Sequence, residues 1–190
     1  MSIVALPRTI LPKPSWRKQV EELSGEKISA CYQCERCTNG CPVTFAMDIV
    51  PHKLIHLLSL GYAKETLQSD TIWVCASCEN CSTRCPNGID IAHIMDTLRQ
   101  LAQREKIPAS QANIPRFHNE FLSSIEKYGR VHELGVILRY LIKSEGLLGP
   151  LKWAGMGLSM FFKGKVKLLP HSIKATGQIN DIFKQAERKE

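Results

Sequence analysis

The 190-residue sequence has no glycine-rich phosphate loop, no nucleotide-binding fingerprint and no Ser/His/Asp constellation. A chain with none of these shows no means of acting as an enzyme by itself. Nowhere do apolar and polar residues alternate over a useful length, so the signal for half-buried strands is missing and a mainly α fold is expected. A membrane span needs about 20 apolar residues. Residues 146–162 are apolar apart from Lys152, but they are shorter than that and contain Pro150, Gly155 and Gly157. No transmembrane span is therefore expected, and an interfacial (peripheral) membrane contact is the weaker alternative to burial against the core or another subunit. Met1 to Leu6 carry no basic segment, and Pro7 and Arg8 interrupt any apolar run, so no secretory signal is expected and the cytoplasm is the expected compartment.

Charge is also unevenly supplied. The net charge of +7 divides into +2 for residues 1–30, 0 for 31–145 and +5 for 146–190. A nucleic-acid-binding protein would want a basic stripe with interleaved aromatics on one face. The neutral middle has none, so no nucleic acid is expected as a partner.

What the chain does have is cysteine, all of it in two runs. Cys31-Tyr-Gln-Cys34-Glu-Arg-Cys37-Thr-Asn-Gly-Cys41-Pro42 recurs 44 positions later as Cys75-Ala-Ser-Cys78-Glu-Asn-Cys81-Ser-Thr-Arg-Cys85-Pro86. Both follow the spacing C-x₂-C-x₂-C-x₃-C-P of bacterial ferredoxins, which bind [4Fe–4S] clusters. Three thiolates two residues apart can cap three corners of a cubane from one tight loop, and the fourth corner needs a more distant cysteine. In two-cluster ferredoxins the last cysteine of each run ligates the other cluster. The expected ligands are thus Cys31, Cys34, Cys37 and Cys85 for the first [4Fe–4S] cluster, and Cys41, Cys75, Cys78 and Cys81 for the second. Disulfides suit small secreted domains, not this chain. Zinc Cys₄ sites pair two knuckles across a longer gap, whereas here four cysteines fall close together, twice. Two clusters would add roughly −4 to the neutral middle, leaving the loaded protein only mildly basic.

Around the runs, helical signals dominate. Residues 1–14, with Pro7, Pro12 and Pro14, read as an extended leader, followed by a helix from Trp16 to about Leu23, N-capped by Ser15 and ended near Gly25. Asp48 to Pro51 reads as the start of a helix that stops at Gly61. His52 and His56, at i and i+4 on it, lack the glutamate of H-E-x-x-H and a third ligand, so they read as surface or packing residues. Trp73 is placed to shield a cluster, although ordinary core burial would leave it in almost the same environment. Asn87-Gly88 reads as a turn, after which Asp90 N-caps a helix carrying Ile91, Ile94, Met95, Leu98, Leu101 and Ala102. Further helices are expected at Asn113–Gly129, at about Val131–Lys143 and around Ile179, Ile182 and Phe183, with Lys163, Lys165, Lys167 and Lys174 before the last. The expected organisation is a leader and short helix at 1–27, a two-cluster α-helical ferredoxin-like domain at 28–107, and additional C-terminal helices for docking at 108–190.

The runs Cys41-Pro-Val-Thr-Phe-Ala-Met47-Asp48 with Pro51, and Trp73-Val-Cys75…Cys85-Pro86…Ile91…Ile94-Met95-Asp96-Thr-Leu98-Arg99, resemble the small iron–sulfur electron-transfer subunit of heterodisulfide reductase. They are more distantly similar to the α-helical ferredoxin domain of succinate dehydrogenase and fumarate reductase. The resemblance covers residues 28–105. It implies an electron relay through two [4Fe–4S] clusters, from a flavin- and cluster-bearing partner to a disulfide-active catalytic one, both heterodisulfide reductase-like subunits. The chain itself is then a non-catalytic part of an oxidoreductase complex. The catalytic member of that family uses Cys-Cys-Gly motifs, and this sequence has no adjacent cysteines. The alternative is a free-standing dicluster ferredoxin that shuttles between enzymes, but such carriers are usually compact and acidic.

Overall fold

A computed structural model describes residues 12–165 and 169–187. Among the described residues there is no strand, as the missing alternation implies, and the chain divides into two compact units, one ending at Gln111 and the other beginning at Ala112. Most of the expected leader, residues 1–11, and Lys167 lie outside the described residues.

In the first unit α1 (Pro14–Ser24) starts on proline, with Lys13 at the N-cap. Ser15 is therefore inside the helix and does not cap it. The fixed φ and missing N–H of Pro14 suit the first helical position, where no partner is needed. Gly25, at φ +71°, ends the helix in the left-handed region. A tight turn at Ile28–Ala30 leads into the first cysteine run, and α2 (Arg36–Asn39) is one helical turn within it. α3 (Pro51–Leu60) again starts on proline, behind Val50 at the N-cap. Gly61, at φ +89°, closes it where a Cβ would fall 2.5 Å from the Lys13 carbonyl oxygen, so only glycine fits. α4 (Ala63–Gln68) and α5 (Thr71–Val74) lead to the second run, which contains α6 (Asn80–Thr83). α7 (Ile91–Arg104) follows, capped by Asp90, whose carboxylate accepts from the His93 N–H at 3.0 Å.

α7 is the centre of this unit: α1, α4, α5 and α6 all pack on it, and α3 packs against α1, α2 and α4. Ile94, Met95 and Leu98 on α7 are fully buried, as are Leu54, Ile55 and Leu58 on α3. Each such side chain contributes about 1.5–3 kcal/mol by leaving water. Trp16 spans from α1 to α4, its indole N–H donating to Thr66 Oγ1 at 3.2 Å. Both cysteine runs thus hang on one apolar framework.

The second unit contains α8 (Asn113–Tyr128), α9 (Glu133–Glu145), α10 (Gly149–Lys152), α11 (Ala154–Phe162) and α12 (Thr176–Glu187). α9 starts two residues later than its apolar pattern suggests because His132 caps it, Nδ1 accepting from the Gly135 N–H at 3.3 Å. α8 packs on α9 and α12. Between α8 and α9, buried Glu120 pairs with Arg139 at 3.1 Å and with Lys143. Ile137, Leu138 and Ile142, all on α9, remain exposed, so its apolar face is only partly used. Among the described residues no helix is long and apolar enough to cross a membrane.

Candidate metal centre

The second cysteine run repeats the first in backbone as well as in spacing. Gln33 and Glu35 have φ of +57° and +63°, and the residues 44 positions later, Ser77 and Glu79, have +49° and +59°. None of the four is glycine, and each such residue costs about 1–2 kcal/mol in the left-handed region. Alternating handedness curls a chain into a concave loop of the kind that cradles anions and iron–sulfur groups. Each loop then closes into one helical turn, α2 or α6, carrying the third cysteine of its run. The residues that enter the two loops, Ile28 and Ile72, are both fully buried and anchor them to the core.

All eight cysteines are free thiols. Cys31, Cys34, Cys37 and Cys85 line one cavity, and Cys41, Cys75, Cys78 and Cys81 line a second. Each cavity therefore takes three cysteines from one run and the last from the other. Ile91, at the start of α7, lines both. A zinc ion needs four sulfurs about 2.3 Å from one point. Among the described residues no three His, Cys, Asp or Glu side chains converge in that way, and the thiols instead stand four to a cavity. Four thiols in each cavity are a donor set that fits a polynuclear group. Burial pushes the Cys37 thiol up to about 11 and raises that of Cys81 as well. Ligand binding there must release protons, so metal loading is favoured by higher pH.

Two asparagines bring the runs together. Asn80, just before Cys81, donates to the Gly40 carbonyl at 2.5 Å, which sets Cys41 beside the second run. Asn87, just after Cys85-Pro86, donates to the Ala30 carbonyl, which sets Cys85 beside the first. Asp48 adds a third tie. Its carboxylate accepts from Ser69 Oγ (2.8 Å), Asp70 N–H (3.0 Å), Thr71 N–H (3.1 Å) and Thr71 Oγ1 (2.8 Å). Partial burial opposes its charge, but these bonds and one from the Ile49 N–H outweigh that and lower its pKa. Asp48 does not start α3, as its position before Pro51 suggests; it holds the start of α5, and so the entry to the second run.

Two other expectations change. Trp73 is buried but lines neither cavity, so it belongs to the core and shields no site directly. His52 lines the first cavity and is more than a packing residue: Nδ1 lies 2.8 Å from Thr38 Oγ1 and Nε2 3.5 Å from Glu35 Oε1. His56 is exposed, as a surface residue. Asn80, Asn87 and Asp48 have no motif of their own. The sequence marks Asn87 only as part of the Asn87-Gly88 turn, and the two asparagines stand where the first run has Arg36 and Val43.

Residues 27–89 match the family model described as a 4Fe-4S dicluster domain. No curated protein matches the chain. Over residues 27–89 the family match supports an iron–sulfur, ferredoxin-like protein and suggests an electron-transfer role, and among the described residues the framework that carries it is helical.

Proposed function

We propose that the chain is the electron-relay subunit of a heterodisulfide reductase-like complex in the cytoplasm. The observation that carries this reading is the division of the eight cysteines, four and four, between two adjoining cavities. Cys31, Cys34, Cys37 and Cys85 would hold one [4Fe–4S] cluster and Cys41, Cys75, Cys78 and Cys81 the other. Each cluster, when bound, takes up and gives back one electron. The polypeptide does the rest: the two loops fix the thiols, Asn80 and Asn87 hold the exchanged cysteines, and Ile91, Ala92 and Met95 give the second site an apolar wall.

The proposed partners are the flavin- and cluster-bearing member of such a complex and its disulfide-active catalytic member. A subunit reading is supported over a free shuttle by the second unit, which exposes a large apolar surface from Leu147 to Phe162, with Leu147 85% and Phe162 78% accessible. A carrier that diffuses alone would pay for such a surface in aggregation. The chain's own contribution is conduction, with the disulfide chemistry on the catalytic partner.

Anaerobic purification from the native source tests this directly. About eight iron and eight acid-labile sulfide per chain are expected, with co-eluting larger subunits. Stoichiometric zinc in place of iron would remove the relay reading, and an iron-loaded monomer without partners would turn it into the shuttle.

A further inference from the structure

The two cavities share a backbone plan but not a lining. Tyr32, Gln33, Glu35, Arg36, His52 and Asn87 all line the first. Apart from its cysteines the second is lined only by apolar residues, among them Val43, Met47, Ala76, Ala92 and Met95. The difference reaches the sulfur atoms. Gln33 Nε2 donates to Cys31 Sγ at 3.2 Å. Its counterpart in the second run, Ser77, accepts from Arg99 at 2.8 Å and does not line the cavity. The hydroxyl nearest a sulfur of the second site is that of Ser82, 4.0 Å from Cys81 Sγ. It donates its one proton to Asp90 at 2.6 Å, so it has none for a thiolate.

Adding an electron makes a thiolate-ligated cluster more negative. Polar surroundings and a hydrogen bond to a ligand sulfur favour that added charge, and an apolar lining penalises it. Formal charges do not reverse the contrast. Arg36 and Glu35, of opposite sign, both line the first cavity, and no Lys, Arg, Asp or Glu lines the second, so the contrast rests on polarity and on the Gln33 bond.

We propose that the site of Cys31, Cys34, Cys37 and Cys85 holds the higher-potential cluster and that the Gln33 amide tunes it. The proposal rests on the relay reading. On partial reduction the electron resides at this site, and the apolar site becomes reduced only at lower potential.

The test is a potentiometric titration of the loaded full-length chain followed by electron paramagnetic resonance. Two separate couples are expected. Gln33→Met removes the donor at similar length and should lower the upper couple while leaving the lower one in place. Ser77→Gln installs the same amide at the matching position of the second loop and should raise the lower couple, narrowing the gap. Should Gln33→Met lose its cluster through the strained backbone at residue 33, the shift caused by Ser77→Gln decides. The assignment is overturned if the wild-type couples coincide, if Gln33→Met moves the lower couple, or if neither variant shifts either one. Such results in a chain holding two clusters would leave the relay reading standing, whereas a chain that binds no iron would sink both.

Discussion

Asn80 donates its side-chain amide to the carbonyl of Gly40 at 2.5 Å, joining the residue before Cys81 to the residue before Cys41 across the two runs. The bond sets a cysteine of the first run among those of the second. Asn87 does the converse through Ala30. Both bonds are part-buried and water can take up the freed carbonyl, so the loss of either amide is expected to cost about 0.5–1.5 kcal/mol. Asn80→Ala should lower iron retention at the site of Cys41, and Asn87→Ala at that of Cys85. Iron release under mild chelator, followed by absorbance, checks this; release at the wild-type rate in both variants would reduce the asparagines to loop residues.

The proposed crosswise ligation makes a sharper demand on the cysteines. Cys85→Ala should damage the cluster held by Cys31, Cys34 and Cys37, and Cys41→Ala the one held by Cys75, Cys78 and Cys81. Because cluster ligation is also folding energy, either change should loosen the whole first unit. Spectra that resolve the two clusters decide it, and damage confined to each cysteine's own run would overturn the assignment.

The Asp48 clamp carries a pH signature. Its pKa is lowered in the folded chain, so its stabilisation is fully present above the unfolded value of about 3.9 and is lost as pH falls through the folded value. Asp48→Asn keeps the shape and removes the charge. At pH 7 the variant should be less stable by about 1–2 kcal/mol, toward the low side because the residue faces solvent. The gap should close below about pH 4. Unfolding rates after a rapid pH jump, read before acid strips the iron, give the comparison; a gap unchanged down to pH 3 would assign the effect to something other than the carboxylate.

Much of this was legible in the residues and some was not, for physical reasons. The repeated spacing singles out the eight cysteines that line the two cavities, and the apolar periods of α3, α7 and α8, with glycine stops after α3 and α8, place those helices, because these signals are local. Ser15 and Asp48 were misleading for a shared reason. Each is a good N-cap residue standing near a proline, and in both places proline itself takes the first helical position. Asp48 instead serves α5, a segment more than twenty residues away, and no local pattern announces that. The same holds for Asn80, Asn87 and His52, whose partners come from the other run or from the helix beside it. The polar lining of the first cavity follows from such pairings and is visible only once the chain is folded.

Glu120 provides a test confined to the second unit. It is buried and pairs with Arg139 and Lys143 from α9. Glu120→Ala removes the shared partner of two cations that are themselves partly solvated, so the expected cost is about 1–3 kcal/mol, below that of a fully buried pair. The α8–α9 packing should loosen while iron content stays the same. Hydrogen exchange resolved along the chain measures it: faster exchange in α8 and α9 with unchanged α3 and α7 is the expected outcome, and a parallel loss of iron would show that the cluster-bearing unit depends on this pair.

Beyond Glu145 the chain turns apolar and basic. From Gly146 to Asn180 there is no acidic residue, and Lys152, Lys163 and Lys165 flank an α11 made almost wholly of apolar residues, all exposed. In water a helix that is apolar all round is not stable by itself, so the segment needs cover. The disulfide-active catalytic partner is the proposed cover, with the lysines on the polar rim of the interface. All eight cysteines lie upstream, in a unit with its own buried core. Deleting residues 146–190 should therefore leave iron and sulfide content unchanged while the shortened chain no longer co-purifies with its larger partners. Retention in the complex at full stoichiometry would refute the docking role. A full-length protein that sediments with anionic vesicles at low salt and is released at high salt would replace it with an interfacial membrane contact, since screening weakens attraction between lysines and lipid headgroups over about 10 Å at 0.1 M salt.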